Sequence, residues 1–247
     1  MTELCGWIEP NWPAPPGIRA LTTIRKGGYS QQPFDGLNLG DHVGDDPTTV
    51  IRNRQLLYQS LNLPSVPTWL TQVHGADVIE ASVAPEGWEA DALFARTPGQ
   101  VCAVLTADCL PLLLCNRAGD RVAAVHAGWR GLAAGVIETT LNRLAVPGDE
   151  IMAWLGPAIG PECFEVGAEV RDCFLQHDPK TEAAFKENRA DHWLADIYQL
   201  ARLRLKACGV TAVWGGEHCT VTDTERFYSY RRDGRTGRMA TLIWFDL

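Results

Sequence analysis

Three apolar runs follow one another closely in the middle of the 247-residue chain. They are Val101 to Thr106, Leu110 to Cys115 and Arg121 to His126, and they are partly β-branched, which is typical of buried strands. The segment 116–120 between the second and third runs contains Asn, Gly and Asp, which favour a turn. The pattern therefore predicts a central β-sheet that includes a hairpin.

Helical and strand patterns are found on both sides of this centre. We expect helices over Thr48 to Leu61, Leu132 to Leu144, Val166 to Gln176 and Asp196 to Cys208, with Thr48 or Thr49 capping the first. We expect further strands over Leu21 to Arg25, Thr68 to Gln72, Asp77 to Glu80, Ile151 to Leu155, Ala212 to Trp214 and Met239 to Phe245. Because strands and helices are mixed without strict alternation, and no repeat or linker interrupts them, the sequence predicts one α+β domain over residues 1–247.

The charge balance and the cysteines limit the function classes. The net charge is -8 and the pI about 5.2, whereas a nucleic-acid-binding protein usually has a basic face. No run of about 18 apolar residues indicates a membrane span, and Met1 to Trp12 lack the features of a signal peptide. We therefore expect a cytoplasmic protein without a nucleic-acid or membrane partner, whose eight cysteines are mostly reduced, buried thiols.

The predicted hairpin brings two potential metal ligands together. Centring its loop near Ala118 places Cys109 opposite His126 or Ala127. Directly opposed residues have Cβ atoms roughly 4.5–5.5 Å apart, which suits two ligands of one metal ion. Pro111 counts against a regular ladder because it has no N–H group to donate.

Six short motifs run through the whole chain: T-x-R-x-G-G at 23–28, L-N-L-G at 37–40, Q-V-H-G at 72–75, T-A-D-C at 106–109, H-A-G-W-R-G at 126–131 and L-G-P-A-I-G at 155–160. On these motifs the chain resembles the YfiH/YlmD family, also called the laccase-domain or multicopper polyphenol oxidase family. The resemblance implies a single layered α+β sandwich in which helices flank a mixed β-sheet. It also implies a zinc ion, with copper as the alternative, bound by His74, Cys109 and His126.

The same resemblance implies an activity. It is phosphorolysis of adenosine, inosine, guanosine and S-methyl-5'-thioadenosine to the free base and ribose-1-phosphate, together with deamination of adenosine. Copper-dependent polyphenol oxidation and editing of peptidoglycan precursors are the alternatives. A true laccase needs a trinuclear copper cluster with many histidines, and the chain has only six, so the zinc enzyme is favoured.

Two imidazoles and one thiol leave the fourth position of a zinc ion open, which is typical of a catalytic site. In deamination a carboxylate usually carries the proton. Asp108 is the first candidate, with a turn or capping role as an equal alternative. A closed structural site, in which Cys102 or Cys115 is the fourth ligand, is the alternative from another class of protein.

Phosphorolysis also requires a site for an anion, for which arginine is well suited. The candidates are Arg25, Arg130, the turn residue His42, and the late group Arg231, Arg232 and Arg238, for which a surface role is the alternative. Phe34 or Trp129 could stack on a purine ring. The expected partners are thus a small-molecule nucleoside and phosphate, and the sequence leaves the oligomeric state open, with a homodimer as one alternative.

Overall fold

The computed structural model describes residues 6–85 and 87–246. Its strands are Trp7–Ile8 (β1), Ile18–Thr23 (β2), Val78–Glu80 (β3), Ala92–Ala95 (β4), Cys102–Thr106 (β5), Leu110–Asn116 (β6), Val122–Ala127 (β7), Ile151–Leu155 (β8), Glu165–Gly167 (β9), Phe185–Arg189 (β10), His192–Ala195 (β11), Ala212–Gly215 (β12) and Met239–Phe245 (β13). Its helices are Pro47–Leu61 (α1), Trp129–Ala134 (α2), Val136–Leu144 (α3), Ala168–His177 (α4), Ile197–Ala207 (α5) and Tyr230–Asp233 (α6), with short 3-10 turns at Gly148–Glu150 and Pro179–Ala184.

The strands form three sheets. A six-stranded sheet has the order β12-β8-β6-β7-β4-β3, a four-stranded sheet the order β1-β2-β13-β5, and a small sheet the order β10-β11-β9. In the six-stranded sheet, β12 with β8 and β3 with β4 are parallel, and the other neighbours are antiparallel. The predicted mixed sheet is therefore confirmed.

The core lies on both faces of the six-stranded sheet. In β6, Leu112 and Leu114 pack among the helices, whereas Leu113 and Cys115 pack toward the four-stranded sheet. Successive side chains of a strand point to opposite faces, so an uninterrupted apolar run is what a strand covered on both sides requires. Leu57 of α1 packs in the apolar cluster on the outer face of the four-stranded sheet. The predicted layered α+β sandwich is confirmed.

The β6–β7 hairpin forms in a register that differs from the predicted one. Leu110 is opposite Ala127, and Pro111 is opposite His126. Cys109 therefore lies one step beyond the end of the ladder, and the prediction that it opposes His126 or Ala127 is wrong. The two ligand side chains are neighbours on adjacent strands, but diagonally rather than directly.

Two local interactions explain this register. Asn116 closes the ladder by donating its N–H to Arg121 at 3.1 Å, and its Oδ1 accepts the N–H groups of Asp120 and Arg121, both at 3.0 Å. The turn is therefore the four residues 117–120, and its centre lies between Ala118 and Gly119 instead of at Ala118. Pro111 fits because its carbonyl accepts the N–H of Gly156, the residue after β8. Its nitrogen lies on the same side of the strand and therefore faces away from β7.

Several boundaries differ from the sequence predictions. The helix expected over Leu132 to Leu144 is two helices, because Gly135 between them has a φ of 92°. Asp46, rather than Thr48 or Thr49, caps α1 by accepting the Thr49 N–H at 2.8 Å. The strands β1, β4, β9, β10 and β11 were not predicted. The strand expected over Thr68 to Gln72 does not form, and only Thr71 makes an isolated bridge there, with Glu89.

The described cysteines are all free thiols, as expected, but only Cys102 and Cys115 among them are buried, so the expectation of mostly buried thiols is wrong. Cys5 and the rest of residues 1–5 lie outside the described residues. Within the described parts of the chain, no helix has both the length and the apolar character that crossing a bilayer requires.

Candidate metal centre and substrate cavity

His74, Cys109 and His126 meet at the end of the β6–β7 hairpin that lies away from its turn. Their ligand atoms all lie within 4.8 Å of one another, and His74 Nε2 is 3.8 Å from Cys109 Sγ. The two imidazole rings have centroids 4.8 Å apart and are nearly perpendicular, at 77°. Two imidazole nitrogens and one sulfur are ligands that zinc prefers and that copper also accepts.

Among residues 6–85 and 87–246, this is the only group of three or more His, Cys, Asp or Glu side chains that could hold a metal ion. Cys102 and Cys115 are fully buried within β5 and β6, where burial raises the pKa of both thiols. Neither joins the cluster, so the alternative of a closed site with one of them as a fourth ligand is not supported.

Cys109 is placed by the short connection 107–109, which carries the chain from the four-stranded to the six-stranded sheet. Asp108 within it has a φ of 90°, so the backbone turns there instead of continuing as a strand. The Asp108 carboxylate accepts hydrogen bonds from Thr220 Oγ1 at 2.5 Å, Ser229 Oγ at 3.1 Å and the Arg231 N–H at 2.6 Å. Asp108 therefore anchors the segment 220–231 beside Cys109, and its role as a proton carrier stays a prediction.

His74 is held in a left-handed backbone conformation, with a φ of 61°. Such a conformation costs a non-glycine residue on the order of 1–3 kcal/mol and persists only where the surroundings enforce it. Here Asp91 enforces it, since its carboxylate accepts the N–H groups of His74 at 2.9 Å and Gly75 at 2.6 Å. Gln72 ties the same segment to β5 through two 2.7 Å hydrogen bonds with the backbone of Leu105.

His126 is oriented by the same aspartate. Its Nδ1 lies 2.7 Å from Asp91 Oδ1, and both side chains are buried, with 3% and 0% exposure. Burial alone would raise the pKa of Asp91, but the hydrogen bonds from His126 and from the backbone outweigh it and lower that pKa. A carboxylate on Nδ1 leaves Nε2 as the atom that can bind a metal.

Asp91 lies in none of the six sequence motifs. A signal was nevertheless present, because this acidic residue directly precedes the apolar strand Ala92–Ala95. A charged residue that enters a buried run must find partners inside the protein. The sequence alone did not show which groups would be the partners of Asp91.

The thiol and the imidazoles reinforce one another's charged forms. Burial disfavours the Cys109 thiolate, but the charge and hydrogen bond of His126, and then those of His74, outweigh burial and lower the pKa of Cys109. In His126, burial is likewise outweighed by Cys109 and Asp91, which raise its pKa. A thiolate is the form that binds metal, whereas His126 must give up its proton before it can bind one, so metal binding would release that proton.

Gly128 leaves the space that the cluster occupies. A Cβ atom at this position would lie 3.0 Å from Cys109 Sγ and 3.0 Å from His74 Cδ2. At Gly131, a Cβ atom would lie 2.6 Å from the carbonyl oxygen of Gly75. Both glycines of the motif at 126–131 thus allow α2 to approach the three ligands and the segment that carries His74.

A cavity of about 500 Å³ opens onto the cluster. This volume lies within the range of small-molecule sites. Its wall includes the apolar and aromatic side chains Trp129, Phe164, Ile197 and Tyr230, and the cationic or titratable side chains His42, Arg130, Arg231 and Arg238. The cavity therefore offers flat apolar surface for a ring and positive charge for an anion, next to the three candidate metal ligands.

The predicted substrate-binding residues are only partly brought together. His42 and Arg130 line the cavity, and so does Trp129, over whose ring the Arg130 guanidinium lies at 4.3 Å. Arg25 lies elsewhere and forms an ion pair with Asp35 at 3.1 Å. The structure does not place Arg25 with the cluster, because the turn at 23–28 packs against a different part of the chain.

Two further aromatic and basic candidates are occupied by other contacts. Phe34 is buried, with 3% exposure, beneath the guanidinium of Arg235. Arg232 donates to the carbonyls of Thr220 and Phe227 and pairs with Asp233. Neither lines the cavity.

The three arginines of the cavity differ from Arg25 and Arg232, which pair with carboxylates. In the described part of the chain, none of Arg130, Arg231 and Arg238 forms an ion pair with a carboxylate. The chain as a whole has a net charge of -8. Uncompensated positive charge that is concentrated at one cavity of an acidic protein attracts anions to that cavity.

The layered sandwich and the His-Cys-His cluster define a protein of the laccase-domain class. The family described as multi-copper polyphenol oxidoreductase laccase matches residues 19–246. The chain therefore belongs to this family.

Curated relatives and solved structures agree with that assignment. The chain is 57% identical to the purine nucleoside phosphorylase YfiH of Shigella flexneri, over 96% of this chain and 98% of the relative. It is 56% identical to the purine nucleoside phosphorylase YfiH of Escherichia coli K12, over the same shares. A crystal structure from Neisseria meningitidis superposes with a TM-score of 0.94 at 50% identity, covering 98% of this chain and 99% of that one. YlmD from Geobacillus stearothermophilus superposes with a TM-score of 0.90 at 32% identity, covering 100% and 98%.

Proposed function

We propose that this chain is a zinc-dependent purine nucleoside phosphorylase. The observation that carries the proposal is the cavity, which joins aromatic surface, three arginines without carboxylate partners and the His74–Cys109–His126 cluster. The names of the relatives from Shigella flexneri and Escherichia coli support the same activity. The proposed partners are a purine nucleoside and inorganic phosphate.

In phosphorolysis, an oxygen of monohydrogen phosphate bonds to C1' of the ribose while the bond from C1' to N9 of the purine breaks. The electron pair of the broken bond stays on the base, which takes up the proton that the phosphate carried. The products are the free base and ribose-1-phosphate. Arg130 and Arg231 would attract the anion, and Trp129 and Tyr230 would pack on the nucleoside.

The donor set fits one zinc ion. Two neutral imidazoles and a thiolate are a common set of protein ligands for a catalytic zinc ion, and Asp91 orients His126 so that Nε2 is free to bind. When bound, the metal would supply a Lewis acid that polarises an oxygen or nitrogen atom of the nucleoside. The chain's own residues hold the ligands in place, and they bury His126, which is 3% exposed, whereas His74 is exposed.

The experiment is phosphorolysis of adenosine by purified protein whose metal content has been measured. We expect adenine and ribose-1-phosphate to form only when phosphate is present. His74→Ala, Cys109→Ala and His126→Ala should each abolish turnover without unfolding the chain. Cys173→Ala is the matched control, because Cys173 is an exposed free thiol on α4.

Two results would contradict the proposal. If Cys109→Ala retained phosphorolysis, the metal assignment would be wrong. If the base were released at the same rate in phosphate-free buffer, the reaction would be hydrolysis and not phosphorolysis.

Deamination of adenosine at the same site is a second reaction that the open metal position would permit. Its products are inosine and ammonia, and Asp108 is the candidate proton carrier. Ammonia release measured without phosphate tests it. Because the Asp108 carboxylate already accepts three hydrogen bonds, a loss of deamination in Asp108→Asn must be compared with the loss of stability.

Copper-dependent oxidation of phenols is the second candidate function, favoured by the description of the family. The described residues contain one cluster of three ligands, whereas a laccase combines a mononuclear site with a trinuclear one. Oxygen consumption with a phenol, measured on copper-loaded and zinc-loaded protein, decides between the two. A phenol oxidation faster than phosphorolysis in the copper-loaded protein would favour the oxidase.

A further inference from the structure

Thr106, at the end of β5, carries a buried hydroxyl and lies in the wall of the cavity. Its side chain is 1% exposed and lines the cavity wall, and its Oγ1 has no hydrogen-bond partner among the described residues. Other buried threonines of the same sheet are paired, as Thr22 is with Thr241 at 2.8 Å. A buried hydroxyl without a partner costs on the order of 1–3 kcal/mol. The Thr106 hydroxyl is therefore a donor that a bound ligand can satisfy.

Arg238 lies at the same end of the four-stranded sheet as Thr106. Thr106 is opposite Met239 in the β5–β13 ladder, so the residue before Met239 is at the same end of the sheet. Arg238 lines the same cavity. Its backbone N–H donates to Asn38, and its side chain packs closely on Gly40, where a Cβ atom would lie 2.7 Å from Arg238 Cγ.

The Arg238 guanidinium forms its hydrogen bonds within the described residues through one nitrogen atom. Its NH1 atom donates to the carbonyls of Thr236 and Gly237, both at 3.0 Å. No carboxylate in the described part of the chain pairs with it; burial lowers its pKa, and the nearby Cys109 and Asp108 oppose that shift without reversing it. A guanidinium that is fixed by its own backbone and is not neutralised can bind an oxyanion through its remaining N–H groups.

We propose that Thr106 and Arg238 form the subsite that binds inorganic phosphate. The inference rests on the proposed phosphorylase function and names the residues that hold its second substrate. Thr106 Oγ1 donates to one phosphate oxygen, and Arg238 donates to others, which leaves one oxygen free to bond to C1' of the ribose. Arg130, which is exposed and stacked on Trp129, lies at the rim and guides the anion inward.

Kinetics and binding test the subsite separately. In Thr106→Val the hydroxyl is replaced by a methyl group of similar size. We expect the KM for phosphate to rise about tenfold, as expected for loss of one hydrogen bond to a charged group, while the KM for adenosine changes less than twofold. Arg238→Gln should raise the KM for phosphate about a hundredfold or more. Calorimetric titration of the zinc-loaded protein with phosphate alone should show the same losses of affinity.

Two control variants separate binding from folding. Thr106→Ser keeps the hydroxyl and should bind phosphate nearly as the natural chain does. Thr106→Val should not lower the free energy of unfolding, because the removed hydroxyl has no protein partner. If Thr106→Val fails to fold, Arg238→Lys, which keeps the charge but loses the paired N–H donors, serves in its place and should weaken phosphate binding.

The outcomes distinguish the subsite from the function. Unchanged phosphate affinity in Thr106→Val and Arg238→Gln, with an active natural chain, would overturn the subsite and leave the phosphorylase intact. If the natural chain releases no base in the presence of phosphate, the proposed function fails. The calorimetric titration then still decides whether Thr106 and Arg238 bind the anion, since phosphate that binds equally to all variants would refute the subsite.

Discussion

The Nδ1 atom of His126 lies 2.7 Å from Asp91 Oδ1, and the same buried carboxylate accepts the backbone N–H of His74 at 2.9 Å. Two of the three candidate ligands are thus positioned by one side chain. Their geometry is coupled, because any displacement of Asp91 moves an imidazole ring and the segment that carries the other imidazole.

We predict that Asp91→Asn weakens metal binding by about 10- to 100-fold, the range found when a partner of a ligating histidine is removed. The amide keeps one acceptor oxygen but turns its NH2 group toward N–H groups that need an acceptor. Free energy of unfolding should therefore fall by roughly 2–4 kcal/mol. Zinc affinity by competition with a chelator, and urea denaturation, measure the two effects.

Asp172→Asn provides the matched control for this substitution, since Asp172 lies on α4 with an exposed side chain. It should change neither quantity. Metal affinity in Asp91→Asn equal to that of the control would show that His126 and His74 are held by other contacts.

Gly128→Ala should reduce metal affinity without changing the backbone. The φ of Gly128 is -62°, which alanine adopts easily, so the effect comes from a Cβ atom placed 3.0 Å from both Cys109 Sγ and His74 Cδ2. We expect at least a tenfold loss of zinc affinity, about 1.4 kcal/mol. Gly17→Ala is the control, because the nearest atom there would lie at an ordinary 3.6 Å. Equal affinity in both variants would mean that the ligands can shift aside.

Cys109 should react as a thiolate at unusually low pH in metal-free protein. The imidazoles lower its pKa despite burial, so the reactive form persists as the pH falls below the usual thiol range of about 8.5. Alkylation with iodoacetamide across a pH series, followed by mass mapping of the peptide that contains Cys109, measures the midpoint. Added zinc should protect this peptide. A midpoint at or above that of an ordinary thiol would refute the electrostatic account.

Asp108→Asn separates an anchoring role from a proton-carrying role. Asparagine tolerates the positive φ of 90°, but its amide cannot accept all three hydrogen bonds, so the free energy of unfolding should fall by about 1–3 kcal/mol. Thr220→Val removes one donor and leaves the carboxylate, and should cause a smaller loss of the same kind. If Asp108→Asn lost turnover but kept full stability, and Thr220→Val changed neither, Asp108 would carry a proton.

Local patterns predicted the strands β5, β6, β8, β12 and β13, because their apolar runs are short, continuous and bounded by turns. The hairpin register was wrong because it depends on how Asn116 bonds the backbone of Asp120 and Arg121, which the apolar pattern does not encode. Strand β4 was missed because its four residues, Ala-Leu-Phe-Ala, fit either a helix or a strand.

The residues of the candidate site, too, were predicted only in part. The family motifs directed attention to His74, Cys109 and His126, and the structure brings their ligand atoms within 4.8 Å of one another. Arg25 could not be excluded from the sequence, because an arginine beside two glycines looks the same whether it faces a cavity or an ion pair. Asp91 and Thr106 act through contacts that join distant segments, and only the folded chain shows which groups they meet.

The connection 107–109, which carries Cys109, crosses from one sheet to the other. The candidate ligands come from segments far apart along the chain, since His74 and Cys109 are separated by 35 residues. An unfolded chain cannot gather these donors, so a metal ion that binds the folded form alone shifts the folding equilibrium. At a free-metal concentration 100 times the Kd, that linkage adds about 2.7 kcal/mol. The amount of intact protein would then follow the metal supply of its surroundings.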